Sequence, residues 1–157
     1  MKNLSPDCFL LLTQIPSAKA IVSSSVTYTF DELRNKVLST AGYLQKQNIY
    51  AGDRVGFIGQ NDINFVINIL ALWQLSAVPV PINTRLTEFE IDEQLTDARC
   101  SAVLSQKEFS GRIKNTGRKI IKYPFEIEVD NSFTGFQEIK ANDPAVIIFT
   151  SGSASKS

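Results

Sequence analysis

The chain has 157 residues, with 16 Lys plus Arg balanced by 16 Asp plus Glu, 43% hydrophobic residues and no His. That length suits one domain, and the apolar content supplies a core. Zero net charge argues against a nucleic-acid partner, the absence of His removes imidazole acid–base chemistry, His metal ligands and Ser-His-Asp or Cys-His dyads, and two cysteines cannot build a four-thiolate zinc site.

At the N-terminus, Lys2, the apolar run 8–12 and Ala18-Lys19-Ala20 imitate a signal peptide. The run is only five residues, with Asp7 and Gln14 flanking it, whereas a signal core needs about 7–15 apolar residues. No stretch approaches the ~20 apolar residues of a membrane span. Cys8 and Cys100 show no C-x-x-C spacing and read as reduced thiols of a cytoplasmic protein.

Residues 9–15 read as a short helix stopped by Pro16, and Ala20–Val22 and Val26–Tyr28 as a hairpin around a serine turn. Thr29-Phe30-Asp31-Glu32 is a capping box, and Phe30, Leu33, Val37, Ala41 and Leu44 follow at helical spacing. Arg54–Gly59 reads as a strand. Asn61 is placed to cap a helix from Ile63 to Gln74, apolar nearly all round and so packed on several sides. Ala77–Pro81 is a strand whose two prolines cannot donate ladder hydrogen bonds, so it is an edge strand or a short piece. A second capping box, Thr87 with Glu90, opens a helix ending near Ala98, with Phe89, Ile91 and Leu95 as its apolar stripe.

Ser101–Leu104 reads as a strand, and the basic stretch 105–118 (Lys107, Arg112, Lys114, Arg118) as a solvated turn or helix. Lys119–Lys122 and Glu126–Val129 are short strands, and Ala145–Phe149 is a continuous apolar run expected of a buried strand. Helices alternating with short apolar strands predict an α/β fold with a mainly parallel sheet flanked by helices. Glu88, Glu90, Asp92, Glu93 and Asp97 read as a solvated helix face. Tyr28, Phe30, Phe57, Phe65, Trp73 and Phe89 read as core, and Cys100 as a core filler with no His to activate it.

Chemistry concentrates at the end. The apolar strand runs into Thr150-Ser151-Gly152-Ser153-Ala154-Ser155-Lys156-Ser157. Small residues let backbone amides approach an oxyanion, hydroxyls add donors, and ligands of open α/β sheets bind beyond the carboxyl ends of strands. The loop is not a G-x-x-x-x-G-K-[ST] phosphate loop, because Gly152 stands alone. On composition it is equally a flexible terminus.

Thr150-Ser151-Gly152-Ser153 resembles the start of the T-S-G-[ST]-T-G-x-P-K loop of the adenylate-forming enzymes: acyl-CoA synthetases, amino-acid adenylation domains and luciferases. Thr27–Leu33 resembles their T-Y-x-E-L helix start, Gly52-Asp53-Arg54-Val55 their G-D-x-V strand entry, and Leu72–Asn83 their L-x-x-G-A-x-x-x-P-L-N segment. Within the family, the short span before the loop and Asn83-Thr84-Arg85-Leu86 are most similar to 2-succinylbenzoate–CoA ligases, with amino-acid adenylation domains as the alternative.

The resemblance implies part of a large N-terminal AMP-binding domain, residues 1–157, cut inside the phosphate loop, of an enzyme that makes an acyl-adenylate and passes it to coenzyme A or a carrier thiol. It implies ATP, Mg²⁺ and coenzyme A as cofactors, a small carboxylate as substrate, and Thr150, Ser151, Gly152, Ser153, Ala154 and Ser155 as the phosphate-binding residues. Ala154 replaces the family's usual Thr and Ser155 its usual Gly, and the loop lysine and the catalytic segments would lie after Ser157. This chain alone is therefore expected to be inactive, with no catalytic residue and no metal ligand of its own. Apolar strand edges left unpaired are expected to favour self-association. A truncated, non-catalytic nucleotide- or partner-binding module is the remaining reading.

Overall fold

The computed structural model describes residues 15–23, 26–114, 117–125, 133 and 142–150. Of the expected helix at 9–15 only Ile15 is described, and it lies in a bend; the expected strand at Glu126–Val129 lies outside the described residues, as do Cys8 and the signal-like run 8–12.

The chain opens with an antiparallel hairpin, β1 (Lys19–Val22) against β2 (Thr27–Thr29). Thr29 then caps α1 (Phe30–Lys46). The Glu32 amide donates to Thr29 Oγ1 at 3.3 Å, and the Thr29 amide donates back to Glu32 Oε2 at 2.8 Å. Those hydrogen bonds hold the exposed Glu32 carboxyl below its usual range. Leu33, Val37, Ala41 and Leu44 are buried, as their spacing requires.

Four strands form one parallel sheet: β3 (Arg54–Ile58), β4 (Val78–Ile82), β5 (Ala102–Gln106) and β6 (Lys119–Tyr123), in spatial order β4-β3-β5-β6. α2 (Ile63–Gln74) connects β3 to β4, and α3 (Glu88–Asp97) connects β4 to β5. The two crossovers run in opposite directions along the sheet, so right-handed connections put their helices on opposite faces. The cores agree. Val55, Phe57, Ala102, Leu104, Ile121 and Tyr123 pack with α1 and α2. Ile58, Val80, Ile82 and Val103 pack with Ile91 and Leu95 of α3. At Gly56 a Cβ would stand 2.3 Å from Leu95 Cδ2, so the missing side chain lets α3 lie close against β3.

Four expectations need correction. The cap of α2 is Asp62, whose Oδ1 accepts from the amides of Asn64 (2.8 Å) and Phe65 (3.2 Å); Asn61 is one residue too early. Phe89 is 67% exposed, with Lys114 Nζ 5.8 Å from its ring centre. The stripe of α3 is Ile91, Leu95 and Ala98, and Phe89 lies two residues before Ile91, nearly on the opposite side of a 3.6-residue turn. The basic stretch is not a free solvated face. It forms a 3₁₀ helix, Lys107–Arg112, whose Phe109 packs on the α3 core, and Arg118 pairs with Asp92 at 2.7 Å.

The fourth correction concerns Ala145–Phe149, which is neither a ladder strand nor buried: Val146 is 38% and Ile148 69% exposed. It runs alongside β4, the edge strand. The Val78 amide donates to Asp53 O on the β3 side at 2.7 Å. By the two-residue period, Pro79 and Pro81 turn their backbone outward. The outer edge of β4 therefore offers carbonyls and no donors. The Ile147 amide uses one of them, Pro79 O, at 3.1 Å. In a parallel ladder the Ala145 carbonyl would take its proton from residue 79, which is proline. Instead the Trp73 indole Nε1 donates to Ala145 O at 2.7 Å. Half a ladder and one indole hold the segment in place.

Ser76, between α2 and β4, has a left-handed φ of 53° and a buried Oγ with no hydrogen-bond partner among the described residues. Ser76→Gly removes both penalties and is expected to stabilise the fold by about 1 kcal/mol, read as a higher urea midpoint. An unchanged or lower midpoint would contradict this reading.

Candidate functional site

In an open sheet of this winding, the switch point lies between β3 and β5, where the two crossovers diverge. Here that crevice is closed. The Gln60 amide donates to Gln106 Oε1 at 2.8 Å, and Gln60 Nε2 donates to Glu108 Oε1 at 2.9 Å. Tyr123, stacked on Phe57 with ring centres 5.2 Å apart, donates its hydroxyl to Ile58 O at 3.3 Å. A Cβ at Gly59 would fall 1.6 Å from Tyr123 Oη, so glycine is what lets the ring cover the end of β3. Burial, with the nearby Asp62 and Glu108 charges, pushes the Tyr123 phenol far above its ordinary range.

The open space lies one strand over. A cleft of about 550 Å³ sits beyond the carboxyl ends of β3 and β4, bounded on its far side by residues 148–150. Its polar side chains are Gln60, Asn61, Asn83, Thr84, Arg85, Gln94 and Thr150, and its apolar wall includes Phe65, Ile82, Leu86 and Phe149. Among the described residues lining it there is one cation, Arg85, and no carboxylate. The rim at 83–86 is a tight turn. Asn83 Oδ1 accepts from the Arg85 amide at 2.9 Å, and Asn83 O from the Leu86 amide at 3.2 Å.

Of the phosphate-loop residues expected from sequence, Thr150 lies in this cleft. Ser151, Gly152, Ser153, Ala154 and Ser155 lie outside the described residues. Sequence reasoning missed Gln60, Asn61, Arg85 and Gln94 as cleft residues. The signal available was position alone: each of the first three lies within three residues of the carboxyl end of a parallel strand. A cleft with one cation, several amide and hydroxyl donors and an apolar wall among its described lining residues suits a ligand with an anionic end and an apolar body. Mg²⁺ is usually held through one or two carboxylates together with phosphate oxygens, and the described cleft residues offer it only neutral amide and hydroxyl oxygens.

The acidic residues of α3 gather no site: Asp92 is engaged by Arg118, and the Glu90 carboxyl, accepting from the Thr87 amide and hydroxyl, is held below its usual range. Among the described residues no helix is long and apolar enough to cross a membrane.

Three comparisons place the chain. The sequence model of the AMP-binding enzymes matches residues 12–156. Polyketide synthase PksN of Bacillus subtilis is 29% identical over 147 residues, covering 89% of this chain and 3% of that protein. The 2-succinylbenzoate–CoA ligase of a Geobacillus species is 28% identical over 141 residues, covering 90% of this chain and 29% of that protein. Among solved structures, the N-terminal subdomain of Klebsiella oxytoca NpsA superposes with a TM-score of 0.87 at 26% identity, covering 99% of this chain and 40% of that one. The chain thus spans well under half the length of each of these relatives.

Cys100 is 6% exposed, and burial pushes its thiol up to about 11 against the partial opposition of Arg118 and Arg54. The folded value exceeds the unfolded one, so this group's contribution to stability is complete below about pH 9 and is lost as pH rises through about 11. In a Cys8→Ser background, iodoacetamide at about pH 8 is expected to leave Cys100 unmodified until denaturant is added. Prompt alkylation of the native protein would show a reactive thiol instead.

Proposed function

The chain belongs to the AMP-binding enzyme family, and on that basis we propose that it is the N-terminal portion of a longer enzyme that activates a carboxylic acid with ATP. In that reaction a carboxylate oxygen attacks the α-phosphorus, the bond to the β-phosphate oxygen breaks, and pyrophosphate leaves. A thiol sulfur then attacks the acyl carbon, giving a thioester and AMP with loss of the thiol proton. The observation that carries the reading is that Thr150 lines the cleft beyond β3 and β4, which Arg85 also lines.

Thr150 and the following Ser151, Gly152, Ser153, Ala154 and Ser155 would hold the ATP phosphates through hydroxyls and amides. Arg85 adds a positive field to a cleft with no carboxylate among its described lining residues, which favours a polyphosphate over a cation. Mg²⁺ would arrive with the nucleotide, since the described cleft residues offer it no charged ligand. The chain by itself is inactive on this reading. Positioning an acid against the α-phosphate needs donors on both sides of the reacting atoms, and this chain provides one wall.

The acid proposed first is 2-succinylbenzoate with coenzyme A as acceptor, supported by the ligase relative and by the Asn83-Thr84-Arg85-Leu86 turn. The 29% identity over 147 residues to surfactin synthase subunit 3 of Bacillus subtilis supports a second reading, in which the same adenylation loads an amino acid onto a carrier thiol.

The test is acid-dependent exchange of labelled pyrophosphate into ATP, using the protein extended through the rest of its reading frame. Exchange with 2-succinylbenzoate, followed by thioester formation on adding coenzyme A, is the expected result. Exchange only with amino acids selects the second reading. No exchange with any carboxylate overturns the proposal, and exchange by residues 1–157 alone overturns the inactivity of the chain.

A further inference from the structure

The rim turn 83–86 is held from two sides, and the second hold comes from far along the chain. Arg112, at the end of the 3₁₀ helix, donates from Nη1 to Thr84 O at 2.5 Å and from Nη2 to Leu86 O. These two carbonyls flank Arg85, the one cation among the described cleft residues. A guanidinium is a rigid fork that can bond two carbonyls at once; an ammonium is a point donor on a flexible stem and cannot hold the same pair in fixed geometry. Six residues on, Arg118 donates to Asp92 Oδ1 at 2.7 Å and to Thr96 Oγ1 at 2.5 Å, both on α3. The β5–β6 connection therefore braces α3 and the turn that leads into it.

We propose that Arg112 is a positioning residue for the cleft: its bonds to Thr84 O and Leu86 O fix the turn that carries Arg85 into the cleft lining. Arg112 is not among the residues lining the cleft, so it acts through the turn and not by contact with a ligand. The functional half of this inference rests on the ATP-activation reading; the structural half does not.

The experiment uses the full-length protein with Arg112→Ala and Arg112→Lys beside the parent, and three readouts. In limited trypsin digestion without ligand, cleavage after Arg85 is expected to quicken several-fold in Arg112→Ala, because the carbonyls on either side of that bond lose their anchor. In pyrophosphate exchange, the KM for ATP is expected to rise about tenfold, the effect of the displaced Arg85 losing one charge-assisted hydrogen bond to the nucleotide, with kcat changed much less. Arg112→Lys is expected to restore part of both. Melting temperature is recorded to separate a local release of the turn from general destabilisation.

Unchanged cleavage after Arg85 overturns the brace whatever the enzyme does. Quickened cleavage with an unchanged KM overturns the positioning role. Equal loss of kcat and of melting temperature in both variants also overturns it, as it marks a merely structural residue. Absence of exchange in the parent refutes the ATP-activation reading and with it the functional half, while the trypsin result still decides the brace.

Discussion

The arrangement of the candidate site depends on what Pro79 and Pro81 withhold. Both stand on β4 with their backbone toward the sheet's outer edge, where other residues would present N–H donors. The edge can accept but cannot donate, so the segment that lies along it cannot join a full ladder. Ile147 supplies one bond to Pro79 O, and Trp73 supplies to Ala145 O the proton that a residue with an N–H would have given. The segment is thereby placed without being absorbed into the sheet, and Thr150 is carried to the mouth of the cleft. A loop meant to approach a ligand is often less stably held than the core around it. A half-satisfied edge is one physical way to obtain that.

The rest of the site follows from how the sheet is wound. Helices on both faces require both sides of β3 to be packed, and Gly56 allows α3 to come close on one of them. The crevice at the switch point, where a ligand would be looked for first, is filled by Tyr123, Gln106 and the Gln60–Glu108 bond. Space is left between the carboxyl ends of β3 and β4 and residues 148–150. Gln60, which helps close one crevice, also lines the other. Brace and cleft are linked in the same manner, because the connection that reaches back to hold the 83–86 turn leaves from the end of β5.

Much of this was legible in the sequence where local chemistry decides the outcome. Both capping boxes form as their residues suggest, since a Thr with a Glu three positions later satisfies its own amides without help from the rest of the fold. The parallel sheet and the edge position of Ala77–Pro81 follow from the alternation of elements and from proline's missing donor. The failures lie where tertiary geometry decides. An apolar run such as Ala145–Phe149 reads as a buried strand on hydrophobicity alone; only its neighbour's register reveals that half of the ladder cannot form. Phe89 reads as core because it is aromatic, yet its angular position on α3 faces away from the sheet. Arg112 and Arg118 read as solvated because nothing in the sequence says which carbonyls and which carboxylate they will meet 26 to 28 residues away. The residues nominated for phosphate binding were reached through family resemblance, and Thr150, the one the structure describes, lies in the cleft.

Whether a donor-poor edge seats the segment leading to Thr150 is read by amide hydrogen exchange at single-residue resolution on the ligand-free protein. Protection at Ile147, whose amide bonds Pro79 O, is expected well above that at Ile148, and it is expected to fall when Trp73→Phe removes the indole donor. Equal exchange at Ile147 and Ile148, or protection at Ile147 indifferent to Trp73→Phe, would contradict that seating.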